Sequence, residues 1–157
     1  MSILNNFMYC SFCKEITFLP KIPLYLMEDL KVIESRRNVN PMQKEKIYAS
    51  RITNDNLTHW AQKFFDYPIV TRWQIQYNDL GVHVDNGIKG IKYNYYLNLG
   101  GKNVKTLFWN DLNNPTKIIQ EKILNINTWY ALQIDIPHST LGLDNPPRLS
   151  VTIKKQI

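Results

Sequence analysis

The feature that most constrains the fold is a series of short apolar segments filling the second half of the chain. From residue 67 onward, segments rich in β-branched and aromatic residues alternate with clusters of Gly, Pro, Asn and Asp. Such segments favour strands, and such clusters are typical of turns. The pattern predicts about eight strands with no helix between them. The predicted strands are PIVTRWQIQY, GVHVD, IKYNYYLNL, VKTLFW, TKIIQEKIL, TWYALQIDI, HSTL and RLSVTI.

Closely spaced strands without intervening helices indicate an antiparallel sandwich or barrel. We therefore predict a mainly β fold with flanking N-terminal helices, in the α+β class, whose core is a double-sheet jelly roll. A length of 157 residues suits a single core, so residues 1–157 are expected to form one domain. In this prediction residues 1–66 are a helical N-terminal support and residues 67–157 are the jelly-roll core.

Two helices are predicted in the N-terminal support. The first is IPLYLMEDLKVIESRR, with Pro23 in its first turn. The second is DNLTHWAQKFF, which places Leu57 and Trp60 on one apolar face and offers Asp55 or Asn56 as the N-cap. The segment between them, ESRRNVNPMQKEKIYASRITNDN, is interpreted as a loop or a connection.

The charge of the chain permits an anionic partner without requiring one. The formal net charge is +6, and the basic residues are dispersed in pairs rather than gathered in a long run. A nucleic-acid motif is also missing from the sequence, so nucleic acid is not an expected partner, whereas a small anionic ligand suits this charge.

Cellular location follows from the segments that the sequence lacks. No apolar stretch reaches the roughly 20 residues that span a bilayer, and the N-terminus has no signal-peptide pattern. We therefore expect an intracellular, cytoplasmic protein without membrane contact. In that compartment Cys10 and Cys13 are interpreted as ordinary reduced thiols, since no further zinc ligands stand nearby.

A pair of candidate metal ligands stands in the short strand GVHVD. His83 and Asp85 are two positions apart, so their side chains leave the strand on the same face. One further histidine would complete the two-His-one-carboxylate set that favours Fe(II) oxygen chemistry. Alone, the His-x-Asp pattern is weak evidence, because composition supplies it often.

A second group of polar residues lies near the C-terminus. His138 follows the strand TWYALQIDI, and Arg148 and Ser150 share one face of the strand RLSVTI. An arginine that points inward needs an anion, and a guanidinium beside a hydroxyl suits a carboxylate. The alternative is that Arg148 extends outward and Ser150 is a surface residue.

Taken in order, His83-x-Asp85, then His138, then Arg148-x-Ser150 resembles the Fe(II)/2-oxoglutarate-dependent oxygenase superfamily, which is built on a double-stranded β-helix, a form of jelly roll. The resemblance covers about residues 69–153. The stretches HVDNGIKGIKYNYYLNLGGKNVKTLFWND and PHSTLGLDNPPRLSVTI are similar to small bacterial and viral members.

The resemblance implies the roles of the site residues. His83, Asp85 and His138 would bind Fe(II) and form the catalytic centre. Arg148, assisted by Ser150, would bind the far carboxylate of the cosubstrate 2-oxoglutarate.

The strand IKYNYYLNL implies further contacts, because a family residue on this strand often touches the cosubstrate. Asn94 and Tyr95 are both candidates, since alternation does not say which of them faces inward. Thr106 and Trp109 are candidates for the same cavity wall, with core packing the preferred role of Trp109.

The expected function is that of a dioxygenase that hydroxylates an amino-acid-like small molecule or a protein side chain, releasing succinate and CO2. The alternative is a non-catalytic jelly-roll module that binds a small anion, a carbohydrate or a protein partner. A nucleic-acid-modifying enzyme is a third option, motivated only by the net charge. Geometry separates the first two, because metal ligands must converge within about 4 Å of one point.

Overall fold

The computed structural model describes residues 11–27, 49–76, 78–85, 92–100, 103–142 and 148–156. These ranges contain ten strands, the helix α1 and a helical turn at residues 24–27. The elements in chain order are β1 (Cys13–Ile16), β2 (Ala49–Thr53), α1 (Asp55–Gln62), β3 (Ile69–Gln76), β4 (Leu80–His83), β5 (Tyr93–Asn98), β6 (Lys105–Trp109), β7 (Ile118–Ile123), β8 (Trp129–Gln133), β9 (His138–Leu141) and β10 (Arg148–Lys155).

The strands form two antiparallel sheets. The six-stranded sheet has the order β1-β8-β5-β10-β3-β2, and the four-stranded sheet has the order β4-β9-β6-β7. All eight strands predicted from the sequence are present, as β3 to β10. The prediction of a mainly β fold is therefore confirmed.

The pairing of these eight strands is nested. β3 pairs with β10, β4 with β9, β5 with β8 and β6 with β7. Successive pairs alternate between the six-stranded and the four-stranded sheet. Residues far apart in sequence are thereby brought together, and the candidate ligands on β4 and β9 become neighbours.

The two faces of the six-stranded sheet have different roles, as the alternation along β10 makes plain. Leu149, Val151 and Ile153 pack into an apolar cluster with α1 and with residues 19–26. Their neighbours in sequence point to the other sheet. Trp73 and Trp129 are both buried in the cluster with α1, as predicted for core aromatics.

Helix α1 is fixed by its cap and by its side-chain bonds to the sheet. Its N-cap is Asn54, whose Oδ1 accepts a hydrogen bond from the Leu57 N–H at 2.9 Å. The prediction of Asp55 or Asn56 as the cap was therefore wrong by one position or two. At the other end, Gln62 donates to the Tyr67 carbonyl and accepts from the Ile69 N–H, which ties the helix to β3.

The N-terminal part is not helical throughout, which corrects the prediction for residues 1–66. β1 pairs with β8 and β2 pairs with β3, so both strands extend the edges of the six-stranded sheet. Their sequences, CKEI and ASRIT, are short and carry charges, and a sheet edge imposes the extended conformation that local propensity does not predict.

The first predicted helix falls only partly on described residues. Its first turn is present, where the Leu26 and Met27 N–H groups donate to the Pro23 carbonyl. The rest of that helix lies outside the described residues, as does Cys10; Cys13 is buried on β1. Within the described ranges, no helix has both the length and the apolar character needed to cross a membrane.

Candidate metal centre

The β4–β9 pair places two histidines side by side. His83 is the last residue of β4 and His138 is the first residue of β9, and they are register partners. Their ring centroids are 4.5 Å apart. An irregularity in the pairing between Leu80 and His83 shifts the register at this point, as a β-bulge does. The nested pairing therefore joins the two sequence motifs in one place.

Asp85 completes a cluster of three potential ligands. It lies two residues beyond β4, and its N–H donates to the Ile134 carbonyl at 3.1 Å. One ligand atom each from His83, Asp85 and His138 lies within 4.8 Å of the other two. Ligands of a formed centre are about 2.0–2.2 Å from the metal. Side-chain shifts of about 1 Å would bring these three atoms to that distance from a common point.

The hydrogen bonds of the histidines prepare them for metal binding. The Nδ1 atom of His83 is 2.7 Å from the Gly81 carbonyl oxygen, and that of His138 is 2.8 Å from the Ile136 carbonyl oxygen. A carbonyl oxygen only accepts, so each Nδ1 carries the proton and donates it. The lone pair of each ring is then on Nε2, which is the arrangement of metal-binding histidines.

The surroundings of His138, burial above all, favour its neutral form. Burial lowers the pKa of His138 below its ordinary value, and the nearby His83 and Lys154 lower it further. The hydrogen bond to Ile136 and the charge of Asp85 oppose this shift without cancelling it. A neutral imidazole binds a metal without first releasing a proton.

The two oxygens of Asp85 are in different environments. Oδ2 accepts a hydrogen bond from Asn94 Nδ2 at 3.2 Å and lies 3.9 Å from Lys154 Nζ. Oδ1 lies on the side of the histidines, 3.9 Å from His83 Nε2. One oxygen is thus held by the protein while the other faces the place where a metal would bind.

The three residues line a cavity between the two sheets. The space within it amounts to about 600 Å³ when its open mouth is included. The six-stranded sheet contributes mainly polar side chains to its wall, and the four-stranded sheet contributes part of the opposite wall. The polar lining residues of the six-stranded sheet are Gln74, Gln76, Asn94, Tyr96, Arg148, Thr152 and Lys154.

Arg148 is a charged residue buried in the wall of this cavity. Only 2% of it is exposed, and its guanidinium lies 5.1 Å from the centre of the Tyr96 ring. Among the residues that the structure describes, its Nε has no hydrogen-bond acceptor, and no carboxylate lies within ion-pair distance of the guanidinium. A buried cation without an anion is costly, so the wall is suited to an anionic ligand.

Two hydroxyl groups on the same face of β10 are also buried without a hydrogen-bond partner among the described residues. Ser150 Oγ and Thr152 Oγ1 are buried, and neither has a hydrogen-bond partner among the residues that the structure describes. With Arg148, they form a row of unsatisfied polar atoms along one strand face. Carboxylate oxygens would satisfy such a row, because they accept several hydrogen bonds at once.

The structure brings together most of the residues predicted for the site. Asn94 lines the cavity, whereas Tyr95 lies on the opposite face of β5, where its ring packs against Phe18 and Phe65. Ser150 is buried between cavity residues without itself lining the cavity.

The two further wall candidates differ in their placement. Thr106 is buried and lines the cavity. Trp109 is not part of the lining, and its Nε1 donates to Ser139 Oγ at 2.8 Å.

Several lining residues were not named from the sequence. Lys154 follows Arg148 at even spacing on β10, so the same alternation that selected Ser150 would have selected it. Gln74 and Gln76 alternate with buried apolar residues on β3, and this alternation is the signal that would have placed them on the inner face. The polar spacing on each strand was therefore sufficient, once the buried face was known.

The chain was compared with known proteins. No protein-family model matches it, and no curated protein is similar enough to count as a relative.

Proposed function

We propose that this protein is an Fe(II)- and 2-oxoglutarate-dependent dioxygenase that hydroxylates an amino-acid-like small molecule or a protein side chain. The observation that carries the proposal is the convergence of His83, Asp85 and His138 on the cavity whose wall buries Arg148. A metal site and a carboxylate site on one cavity are what a metal-chelating oxo acid requires. In the overall reaction one oxygen atom of O2 enters the product alcohol and the other enters succinate, while CO2 leaves.

The strand order supports the double-stranded β-helix as the fold that holds this site. Nested pairing of eight strands, split between two sheets, is what results when one long hairpin is rolled into a jelly roll. We assign β3 to β10 to that fold.

The donor set fits Fe(II). Two imidazoles and one carboxylate form a facial set of three ligands and leave open positions for other groups. When bound, Fe(II) together with 2-oxoglutarate would activate O2, the oxidant, so that one of its oxygen atoms is inserted into a C–H bond. The protein's own part is to hold the ligands, to orient the cosubstrate and the substrate, and to keep water out.

Arg148 would bind the far carboxylate of 2-oxoglutarate. Its guanidinium is buried, and Tyr96 covers one side of it through a cation–π contact. The hydroxyl of Ser150, the next side chain on the same face of β10, is buried without a partner among the described residues and would assist Arg148 after a small shift toward the cavity. With one end held in this way, the other end of the cosubstrate is directed to the metal.

The non-catalytic binding module needs the cavity and Arg148, but it does not need three converging ligands. The test is therefore metal binding, measured before activity. We expect the purified protein to bind Fe(II) under anaerobic conditions and then, with ascorbate and O2, to convert 2-oxoglutarate to succinate.

Substitutions make the test specific. His83→Ala and Asp85→Ala should abolish both metal binding and succinate release. His59→Ala, which removes an exposed histidine on α1, should change neither. The proposal fails if Fe(II) does not bind, or if Asp85→Ala binds it as tightly as the unmodified protein.

A further inference from the structure

The number of metal positions that Asp85 occupies decides how many remain for other groups. An octahedral metal with one donor atom each from His83, Asp85 and His138 keeps three open positions. Under the proposed function the chelating end of 2-oxoglutarate takes two of them. A carboxylate can also bind a metal through both of its oxygens. The last position therefore stays open only if Asp85 binds through a single oxygen.

Two polar groups from neighbouring strands surround the second oxygen of Asp85. Asn94 Nδ2, on β5, donates a hydrogen bond to Oδ2 at 3.2 Å, and Lys154 Nζ, on β10, lies 3.9 Å from the same atom. These two strands are paired with each other in the six-stranded sheet. Oδ2 is thus attracted toward that sheet, whereas Oδ1 lies 3.9 Å from His83 Nε2.

The backbone of Lys154 is held in the sheet, which keeps its charge close to Asp85. β10 lies in the interior of the six-stranded sheet, and Lys154 is the register partner of Val70 on β3. The side chains of Lys154 and Asp85 are 25% and 22% exposed, so water screens their attraction only in part. An ammonium group acts as a point charge, so its attraction for Oδ2 does not depend on a precise angle.

We infer that Lys154 is a positioning residue that keeps Asp85 a one-oxygen ligand. Together with Asn94 it holds Oδ2 on the side of the sheet, so that only Oδ1 reaches the metal. The inference rests on the proposed function and deepens it, because one metal position then remains open beside bound 2-oxoglutarate. The same ammonium group repels a divalent cation. Lys154 therefore lowers the affinity for the metal while it preserves the open position.

A water molecule on the metal tests the inference without relying on activity. Mn(II) accepts nitrogen and oxygen donors in octahedral geometry, and an exchangeable water on it speeds the magnetic relaxation of the solvent protons. The complex of the unmodified protein with Mn(II) and 2-oxoglutarate should retain such a water in its last open position. In Lys154→Met both oxygens of Asp85 should bind the metal. The relaxation enhancement should then fall roughly twofold or more, because this water is lost.

Metal affinity separates a positioning role from support of the fold. Lys154→Met should bind Mn(II) at least as tightly as the unmodified protein, because a repelling charge has been removed. A residue that only supported the fold would weaken metal binding when it was replaced. Lys154→Gln, which removes the charge and keeps a polar side chain, should repeat the result of Lys154→Met.

Two further variants assign the effect to the charge at one position. Lys154→Arg keeps the positive charge and should keep the water on the metal. Lys155→Met is the matched control, because Lys155 is the next residue along β10, is not part of the cavity lining and lies over the Tyr67 ring. This control should also keep the water.

The inference is overturned if Lys154→Met and Lys154→Gln keep the full relaxation enhancement, if Lys155→Met loses it equally, or if both Lys154 variants bind Mn(II) more weakly. It is also overturned if the unmodified protein binds Mn(II) and 2-oxoglutarate but has no exchangeable water on the metal. That result would leave the proposed function standing. If the unmodified protein binds neither Mn(II) nor 2-oxoglutarate, the proposed function fails together with the inference.

Discussion

His83 and His138 face each other across the β4–β9 pair, and each donates its Nδ1 proton to the carbonyl oxygen two residues before it. The two imidazoles therefore have the same tautomer and the same kind of anchor, Gly81 for one and Ile136 for the other. Because each acceptor is a backbone atom only two residues away along the chain, the orientation of each ring is fixed locally. Metal binding then requires little reorganisation of either ring.

The stability of the metal-free protein should fall as the pH falls below about 6.5. Burial lowers the pKa of His138 in the folded state from its ordinary value of 6.5. Between that value and the lowered pKa, the unfolded chain binds a proton that the folded chain does not, so acid favours unfolding. The contribution has a limit of about 1.4 kcal/mol per pH unit. Urea unfolding from pH 5 to 7 measures it. His138→Asn should flatten this part of the profile and His59→Ala should not; equal slopes in all three proteins would contradict the assignment.

Asn94→Leu should weaken metal binding roughly 10- to 100-fold, the usual effect of losing a group that orients a ligand. The reason is that Asp85 Oδ2 loses its hydrogen bond from Asn94 and the carboxylate is free to rotate. Anaerobic calorimetry with Fe(II) measures the dissociation constant. Tyr95→Phe is the matched control on the other face of β5, where Tyr95 bonds to Tyr67. An unchanged dissociation constant in Asn94→Leu, or a comparable loss of affinity in Tyr95→Phe, would contradict this role of Asn94.

Arg148→Met should stabilise the ligand-free protein. It should also remove the gain in the free energy of unfolding that 2-oxoglutarate gives to the unmodified protein. Replacing a buried ion pair by apolar side chains of similar volume gains up to about 1–4 kcal/mol, and Arg148→Met should gain on this scale because no ion pair among the described residues is lost. The unmodified protein should gain about 2.7 kcal/mol from 2-oxoglutarate at a hundred times its dissociation constant, in the presence of Co(II), and the variant should gain none. Urea unfolding with and without the ligand tests both effects. Arg72→Met, which removes an arginine outside the cavity lining, should keep the response. A variant that retains the full response would disprove the role of Arg148.

Asn54→Ala should lower the free energy of unfolding by about 1 kcal/mol, because α1 loses the side chain that caps its first turn. Asn54→Asp should recover most of the loss, since aspartate caps equally well. Asp55→Ala and Asn56→Ala should each change stability by less than about 0.5 kcal/mol. Chemical denaturation of the four variants measures these changes in the free energy of unfolding. A larger effect at Asp55 than at Asn54 would mean that the helix begins one residue later in solution.

Alternation and turn signals were sufficient to predict β3 to β10 from the sequence. Most of these strands are rich in β-branched and aromatic residues, which prefer extended structure, and the short strands β4 and β9 are delimited by the turn signals around them. The strands β1 and β2 were missed, because their residues are held by pairing with a sheet edge rather than by local propensity. The cap of α1 was misplaced because Asn54, Asp55 and Asn56 are all good capping residues, and only the backbone conformation selects among them.

In the site, too, local spacing was predictable from the sequence, whereas tertiary packing was not. His83 and Asp85 were placed on one strand face by spacing alone, and Arg148 was expected to be costly unless it met an anion. The sequence did not choose between Asn94 and Tyr95, since that choice depends on which side of β5 faces the second sheet. Lys154 shares the even spacing of Arg148 and Ser150 on β10, but its position beside Asp85 depends on tertiary packing, which the sequence does not give.

The nested pairing also governs the order in which the chain can assemble. Trp109 and Ile118 are joined by a loop of eight residues and can meet early, whereas Gln76 and Arg148 are separated by nearly half of the chain. Closing loops of increasing length is entropically costly, so we expect pairing to begin at β6–β7 and to spread outward. His83 and His138 meet only when the third pair in that sequence, β4–β9, has formed. A metal ion would therefore find no complete site on a half-folded chain, and its binding would report that folding is nearly finished.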